Sequence, residues 1–468
     1  MRKFYVKGMI KIMEFTKEAR MGVAPIGKLM LSLSIPSIIA QVINVLYNIV
    51  DRIYIGHIPG VGSTALTGVG LTFPILMLIS AFSTFASMGG SSLASIQLGR
   101  DDKKKAEEIV GCSVWTLLVF TVLLMVVFYA FQKPFLYMFG ASKETIPYAV
   151  SYLSIYLAGT VFVELALGLN TFIIVQGRPG IAMWSILLGA FVNIALDPLF
   201  IFVFKWGVKG AAIATILSQL ISAVWNIWFL CCKTSTLKIR LKYIRYDHKI
   251  VMRILALGVS PFTMRATECL INIVMNRQLQ IYGGDLYVGS MTIIQSVMMF
   301  MYSPITGFTL GVQPVISYNF GAKKFDRVRK FYHRMNIFCF VYGLLSTSLE
   351  VFLPGMFARF FTTDPALIAI IEKTMPVFLV GMLVFGLQEG IQATFIALGQ
   401  AKISLFIAML RKAFLLVPLA FILPCFCGIM GVYYAEPISD ILSVTTAAVL
   451  FCLNINKILS KNTLSMLE

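Results

Sequence analysis

Long uninterrupted apolar runs are the feature that most constrains the fold of this chain. The stretches 109–131 and 208–231 are each long enough to cross about 30 Å of hydrocarbon as an α-helix. Hydrocarbon offers the backbone no hydrogen-bond partner, and a helix pairs its peptide groups within a single segment. The short alternating strands that build membrane barrels are not seen in the sequence. The sequence therefore predicts an all-α membrane protein.

The same pattern continues through the whole chain. Its 468 residues are 58% hydrophobic and 13% charged, whereas soluble globular chains are about half apolar and one quarter charged. No cleavable signal peptide is predicted, because the basic stretch before the first span has no apolar core. Twelve segments are predicted to span the membrane, near 28–55, 64–96, 109–131, 146–174, 180–203, 208–231, 250–282, 286–317, 331–353, 366–398, 403–426 and 429–455.

The formal net charge of +18 raises the question of a nucleic-acid partner, and the placement of the charges answers it. With the N-terminus inside, most Lys and Arg fall in cytoplasmic segments, including the runs at 100–105 and 323–334. This is the positive-inside pattern of membrane proteins. We expect a multi-pass protein of the plasma (inner) membrane with both termini cytoplasmic. Anionic lipid is then the partner of the basic segments, and no nucleic acid is expected.

The chain also repeats itself. QLGRDDKKKAEE after predicted helix 2 resembles NFGAKKFDRVRK after predicted helix 8, and Gly99 and Gly321 are 222 residues apart. Gly177 and Gly399 have the same offset. Six helices return a chain to its starting side, so two such lobes would be related by a pseudo-twofold axis along the membrane normal. The predicted parts are a cytoplasmic N-terminal segment at 1–27, an N-lobe at 28–231, a cytoplasmic linker at 232–249, a C-lobe at 250–456 and a cytoplasmic tail at 457–468.

Acidic residues inside the apolar segments mark the candidate functional positions. A buried carboxylate is costly, and a partner, a cation, a proton or water usually meets that cost. For any single acid, a structural ion pair or a position near the lipid headgroups explains its presence in the span as well as a functional role does. The embedded acids are Asp51, Glu164, Asp197, Glu268, Glu389, Glu436 and Asp440.

The stretch FVNIALDPLFIF at 191–202 gathers several of these signals. Asn193 and Asp197 are four residues apart and share one face of a helix. Gly207 lies in the turn between predicted helices 5 and 6. Asp197 comes ten residues before this glycine and Thr215 eight residues after it, so the side chains of Asp197 and Thr215 lie at similar depth in the membrane. Asp51 lies near the end of predicted helix 1, in the same half of the membrane.

These four oxygen-bearing side chains fit a cation or proton site. Oxygen ligands suit hard cations, and two neighbouring carboxylates repel each other unless a proton or cation lies between them. Pro198 has no backbone N–H and so leaves a carbonyl one turn earlier without its helical donor. The sequence therefore predicts a coupling site for Na⁺ or H⁺ at Asp51, Asn193, Asp197 and Thr215.

The chain resembles a known family. The stretches NIVDRIYIG, NIALDPLFIF and AAIATILSQ, together with the twelve-helix duplication, are similar to the multidrug and toxic compound extrusion (MATE) family, in its bacterial MepA-like or DinF-like branch. The resemblance covers about residues 25–455. It implies a secondary active antiporter that exports cationic amphipathic compounds in exchange for H⁺ or Na⁺ by alternating access. It also implies that the N-lobe cation site matches the four residues above, and that Pro36 matches a proline at which helix 1 bends.

The resemblance implies a second set of residues in the C-lobe. NorM-like members of the family carry acids on helices 7 and 10, where this chain has Glu268 in RATECLINIV and Glu389 in LQEGIQATF. The tyrosine that accompanies those acids is replaced here by Phe385. We therefore assign Glu268, Glu389 and Gln392 to substrate binding or to a secondary cation rather than to the main coupling site.

Basic residues inside the spans have structural alternatives. Arg265 and Arg277 share predicted helix 7 with Glu268 and could neutralise it as a structural pair. Arg411 and Lys412 in predicted helix 11 are expected to snorkel towards the inner membrane surface.

Two other functional classes fit the sequence less well. A lipid-linked oligosaccharide flippase of the same superfamily usually has a strongly basic cavity, whereas the embedded charges here are mainly acidic. An enzyme is not expected, because the sequence has no HExxH motif, no nucleophile elbow and no P-loop, so ATP is not expected to be the energy source. The eight cysteines form no CxxC pair, and no cofactor is expected besides the coupling ion. We expect the transporter to act as a monomer.

Overall fold

The computed structural model describes residues 21–59, 61–139, 141–361 and 364–460. Within these ranges the regular structure is helical. Ten helices are long and apolar enough to span a membrane, and two bent helix pairs bring the number to twelve when each pair counts as one span. The predicted all-α membrane fold is confirmed. Of the predicted terminal segments, residues 1–20 and 461–468 lie outside the described residues.

We number the spans α1 to α12 in chain order. Their bounds are α1 Ile26–Gly56, α2 Thr64–Gly99, α3 Lys103–Met138, α4 Ile146–Ala158 with Thr160–Val175, α5 Pro179–Val203, α6 Val208–Cys231, α7 His248–Gly283, α8 Leu286–Gly321, α9 Phe325–Phe352, α10 Pro365–Leu379 with Met382–Ala397, α11 Ala401–Cys427 and α12 Ile429–Ile458. Because twelve spans return the chain to its starting side, α1 begins and α12 ends at one face, which we call the terminal face.

Some helices extend beyond the predicted spans at the terminal face. The charged run DDKKKAEE lies between the predicted spans 64–96 and 109–131, and α3 already begins within it at Lys103. Asp102 caps this helix by accepting a hydrogen bond from the Lys105 backbone N–H at 3.0 Å. Lys and Glu are good helix formers, so a capped helix continues into water before it enters the apolar region.

The backbone repeats itself in the two halves. The fourth span of each half is bent, α4 by 58° and α10 by 45°, and the fifth span of each half contains a π-helical turn. Rare positive φ angles recur at matched positions. They occur at Asp101 and Lys323 (64° and 58°), at Gly177 and Gly399 (71° and 73°), and at Gly207 and Gly428 (54° and 57°). The sequence repeat is therefore a structural repeat, while the predicted domain boundaries stay a prediction.

The hydrophobic clusters show how the halves meet. Near the terminal face, one cluster joins Leu33 of α1 to Val312 of α8, and another joins Ile254 of α7 to Phe172 of α4. Towards the opposite face, the two remaining clusters each draw their residues from one half only, 55–212 and 271–444. The halves are therefore joined at the terminal face and packed separately at the opposite face.

Glycines allow the close approach at the terminal face. A Cβ atom on Gly258 of α7 would collide with the carbonyl oxygen of Phe85, and one on Gly99 of α2 would collide with that of Tyr318. At the same interface the Ser95 hydroxyl of α2 donates a 2.7 Å hydrogen bond to the carbonyl oxygen of Pro314 in α8. Backbone-to-backbone packing of this kind needs small residues at the crossing points.

The linker between α6 and α7 is anchored to the N-lobe. The side-chain oxygen of Gln176 accepts hydrogen bonds from the backbone N–H groups of Thr236 at 2.8 Å and Leu237 at 3.2 Å. Arg240 forms an ion pair with the buried Glu107 of α3, with 2.6 Å between Nε and Oε2. The linker is therefore packed against the terminal ends of the helices it follows.

Replacing Gly258 by leucine should open the terminal face. Overpacking of a close contact typically costs about 1–3 kcal/mol, so the closed arrangement should lose roughly fivefold or more in population. The measurement is the alkylation rate of a cysteine placed at the buried Ser95, in a chain whose eight native cysteines have been replaced. Gly180→Leu is the control, because nothing lies within 4 Å of the position of its Cβ. Equal alkylation rates in the Gly258 variant and the control would contradict the conclusion that close packing at Gly258 keeps the terminal face closed.

Candidate functional site

Two carboxyl groups meet inside the N-lobe. Asp51 near the end of α1 and Asp197 of α5 lie within hydrogen-bond reach of each other. Asn193, one turn before Asp197, donates from Nδ2 to Asp197 Oδ1 over 3.4 Å. Both Asn193 and Asp197 are fully buried. Two carboxyl groups in contact away from water need a proton or a cation between them.

The local helix geometry at Asp197 is unusual. Asp197 is followed by Pro198 and by a π-helical turn at Leu199–Val203. Proline cannot donate to the carbonyl group four residues earlier, so the helix widens there instead of continuing its regular hydrogen bonds. Widened turns of this kind are frequent at functional sites.

Thr215 reaches the same site through a tyrosine. Its hydroxyl donates to the carbonyl oxygen of Ala211 at 3.0 Å and also hydrogen-bonds with Tyr152 of α4. Tyr152 is close enough to Asp51 for the two groups to interact electrostatically, and so is Tyr47 of α1. Neither tyrosine was predicted from the sequence as part of the site. Tyr47 precedes Asp51 by four residues, so their shared helix face was the available signal.

The donor set fits a small hard cation or a proton. Among the described residues, Asn193 Oδ1 and Asp197 Oδ2 are buried oxygen atoms without a hydrogen-bond partner. Carboxylate, amide and hydroxyl oxygens are the ligands that hard cations such as Na⁺ prefer. The structure thus places the four predicted residues in one part of the N-lobe, and their role in binding Na⁺ or H⁺ stays a prediction.

The C-lobe contains a buried ion network that the sequence analysis did not predict. Arg411 of α11 donates from Nε to Asp440 Oδ1 at 2.6 Å and from a terminal nitrogen to Glu436 Oε1 at 2.8 Å. Its guanidinium carbon lies 3.8 Å from the centre of the Phe385 ring. The expectation that Arg411 and Lys412 snorkel to the membrane surface is wrong, because both side chains are buried at mid-span. The carboxylates of α12 hold Arg411 there.

Glu268 pairs with Lys412 across the C-lobe. The distance from Lys412 Nζ to Glu268 Oε1 is 3.5 Å. Among the ion pairs of the described residues, neither Arg265 nor Arg277 is the partner of Glu268. Arg265 acts on Glu268 only at longer range, and Arg277 is exposed.

Glu389 belongs to the same cluster as Glu268. It interacts with Tyr302 of α8, and the charges of Glu268, Arg265 and Arg411 act on it. The structure therefore brings the two predicted C-lobe acids into one electrostatic neighbourhood.

Gln392 and Pro36 lie elsewhere. Gln392 of α10 is buried and donates to Ser260 Oγ at 3.1 Å and to the carbonyl oxygen of Ser404 at 3.3 Å. These contacts join α10 to α7 and α11, so they indicate a structural role rather than contact with a substrate. Pro36 lies in the first third of α1, which continues through it as one helix.

The repeat relates the two clusters to each other. Counted from Gly207 and Gly428, Thr215 corresponds to Glu436, and Gln219 corresponds to Asp440. Neutral polar side chains in the N-lobe are thus replaced by two acids in the C-lobe, and Arg411 forms an ion pair with each of those acids. At the place that matches the N-lobe site, the C-lobe therefore contains the positive charge of a side chain, Arg411.

Comparisons with known proteins agree on one family. The family model described as MatE matches residues 36–199 and 262–422, more than half of the chain. The multidrug export protein MepA of Staphylococcus haemolyticus (strain JCSC1435) is 26% identical over 413 residues, which cover 88% of this chain and 90% of that protein. MepA of Staphylococcus aureus (strain NCTC 8325 / PS 47) is 25% identical over 424 residues, 91% of this chain and 93% of that protein. A crystal structure of MATE in complex with MaL6 superposes with a TM-score of 0.87 at 22% identity, covering 94% of this chain and 98% of the other.

Replacing Arg411 by methionine should destabilise the C-lobe strongly. Removal of one partner from a buried ion pair typically costs about 3–5 kcal/mol, because the other charge stays buried without compensation. Adding Glu436→Gln and Asp440→Asn to the same variant should recover most of the loss. Thermal unfolding in detergent measures both effects, with Arg277→Met as the control for loss of an exposed charge. If the Arg411 and Arg277 variants unfold at the same temperature, the network does not stabilise the fold.

Proposed function

This chain belongs to the MATE family, and from that premise we propose that it is a secondary active multidrug efflux antiporter. As a member of this family it is a multi-pass membrane transporter and not an enzyme. The proposed reaction is export of cationic amphipathic compounds in exchange for H⁺ or Na⁺. We place it in the plasma (inner) membrane with both termini cytoplasmic. The names of its staphylococcal relatives support the export of drugs.

The contact of Asp51 with the buried Asp197 is the observation that carries the proposal. A site with two carboxyl groups and an amide can exchange one small cation for another, but it resists holding two bare negative charges. Each cycle therefore needs a proton or a Na⁺ ion in this site at the stage when it is closed to water. The gradient of that ion then drives the transporter in one direction.

The packing of the lobes supports alternating access. Contacts between the halves are concentrated at the terminal face, and the clusters towards the other face are separate. With the termini in the cytoplasm, this is an outward-facing arrangement. Helix α1 connects the ion site to the interface, because it carries Asp51 and packs through Leu33 and Ile38 against Gly311 and Gly307 of α8.

The C-lobe acids suit the organic cation. A carboxylate in a region of low dielectric attracts a cation far more strongly than it would in water. The side chain of Glu268 is 43% exposed although it lies at mid-span, so a molecule between the helices can reach it. We assign Glu268 and Glu389 to the substrate and the N-lobe carboxyl pair to the coupling ion.

Replacing Asp197 by asparagine should abolish gradient-driven export while the protein still inserts. The variant loses the second carboxylate that makes occupation of the site depend on the coupling ion. Export of a fluorescent organic cation from proteoliposomes is measured under a pH gradient and a Na⁺ gradient, imposed separately. Asp51→Asn should behave in the same way, and Glu144→Gln, in an exposed loop, serves as the control. Wild-type export by the Asp197 variant under both gradients would refute the coupling site.

Replacing Pro36 by alanine should slow transport without weakening substrate binding. Alanine restores a backbone hydrogen bond in α1, which makes the helix harder to bend at this position. A barrier increase of about 1.4 kcal/mol would reduce turnover roughly tenfold. Turnover in proteoliposomes and substrate affinity of the purified protein are measured on the same preparations. Unchanged turnover would show that α1 does not need to bend at Pro36.

A further inference from the structure

We propose that Lys412 is a built-in competitor of the cationic substrate at Glu268. In the empty transporter the ammonium group of Lys412 forms an ion pair with the Glu268 carboxylate, and an arriving organic cation displaces this ammonium group. The return of the ammonium group to Glu268 then helps to expel the substrate. The inference rests on the proposed function, since it takes Glu268 as the acid that binds the substrate. It adds a specificity-determining residue that acts through competition.

The contacts of the two neighbouring basic residues differ in kind. Arg411 makes two short charged hydrogen bonds, at 2.6 Å and 2.8 Å, and lies on the ring of Phe385. Lys412 forms one ion pair, to Glu268, at 3.5 Å. Arg411 is thus held firmly by its fixed planar geometry, whereas Lys412 is a single charge on a flexible stem. Of the two, Lys412 is the one that can be displaced.

The two members of the Glu268 pair are also exposed to different degrees. The side chain of Glu268 is 43% exposed and that of Lys412 is 8% exposed. Each lies fifteen residues before the end of its span, which is Gly283 in α7 and Cys427 in α11. The carboxylate can therefore be approached from its open side, while the lysine reaches it from the interior of the C-lobe.

A displaced ammonium group has an acceptor within the cluster. Asp440 is fully buried, and its Oδ2 atom has no hydrogen-bond partner among the described residues. The charge of Lys412 already acts on Asp440. An ammonium group that leaves Glu268 can therefore turn towards Asp440 without losing all compensation for its charge. This second acceptor keeps the cost of displacement low enough for reversible binding.

The exchange selects for charge. An organic cation replaces Lys412 at Glu268 with one charge in place of another, so the carboxylate stays compensated before and after binding. A neutral compound cannot release the lysine and gains nothing from the carboxylate. In the empty transporter the lysine prevents a bare carboxylate from remaining in the apolar interior, where its cost would be high. Lys412 should thus reduce affinity for organic cations and speed their release.

Replacing Lys412 by methionine should tighten the binding of an organic cation by about tenfold, which corresponds to about 1.4 kcal/mol. Equilibrium binding to purified protein is measured with tetraphenylphosphonium as the cation and N-phenyl-1-naphthylamine as a neutral aromatic probe. Affinity for the neutral probe should not change. Turnover of the cation should fall, because its release is slower. Lys412→Gln keeps a polar group beside Glu268 and removes the charge. It should give the same result and replaces the methionine variant if that variant folds poorly.

Two controls separate competition from general charge effects. Lys412→Arg keeps a cation and should bind tetraphenylphosphonium almost as the wild type does. Lys402→Met removes the same charge at the exposed start of α11, far along the helix from Glu268, and should leave binding unchanged. Tighter binding in the Lys402 variant to the same extent would attribute the effect to net charge and would overturn the proposal.

A double variant separates this inference from the proposed function. Glu268→Gln alone should weaken tetraphenylphosphonium binding, and adding Lys412→Met to it should have no further effect. If Glu268→Gln weakens binding but Lys412→Met leaves it unchanged, the competition is refuted and the substrate site stands. Tightening that persists without the Glu268 carboxylate also refutes the competition. If Glu268→Gln leaves binding unchanged, the inference fails at its premise, whereas ion-coupled export is tested independently by the Asp197 variant.

Discussion

The cost of burying charge in hydrocarbon is the constraint on which the rest of this structure depends. Twelve apolar spans leave few positions for ionised side chains, and several of those present are gathered into one cluster in each lobe. A carboxylate in such a place must be met by a proton, a metal ion or a basic side chain. The protein uses different solutions in its two halves, and the difference between them divides the proposed work of transport.

The pseudo-symmetry makes that division visible. At matched positions of α6 and α12, the N-lobe has Thr215 and Gln219 where the C-lobe has Glu436 and Asp440. Both C-lobe acids form ion pairs with Arg411, a side chain that cannot leave. In the N-lobe, the pair of Asp51 and Asp197 is the proposed exchange site, at which the coupling ion would meet the charge. One duplicated framework thus supports a stable ion network on one side and a proposed exchange site on the other.

Movement between states needs an interface that can close tightly and also separate. Glycines at the terminal face let backbones touch, which gives strong but short-range packing. The separate clusters towards the opposite face allow each lobe to move as a packed body. Helix α1 carries Asp51 of the proposed ion site and touches the C-lobe through α8, so it is the element that would transmit ion binding to the interface.

The sequence by itself determined the local features: the helical class, the number of spans, the duplication, and the common depth of Asp51, Asn193, Asp197 and Thr215. Hydrophobic length and helical rise fix these within each segment, so no knowledge of neighbouring helices is needed. Only the tertiary structure decided which face is closed, that Lys412 rather than Arg265 or Arg277 pairs with Glu268, and that Arg411 is held at mid-span by Glu436 and Asp440. These depend on the rotation and crossing of helices that are far apart in the chain. A helix reveals in its own sequence which residues share a face, but which partner that face meets is set by packing.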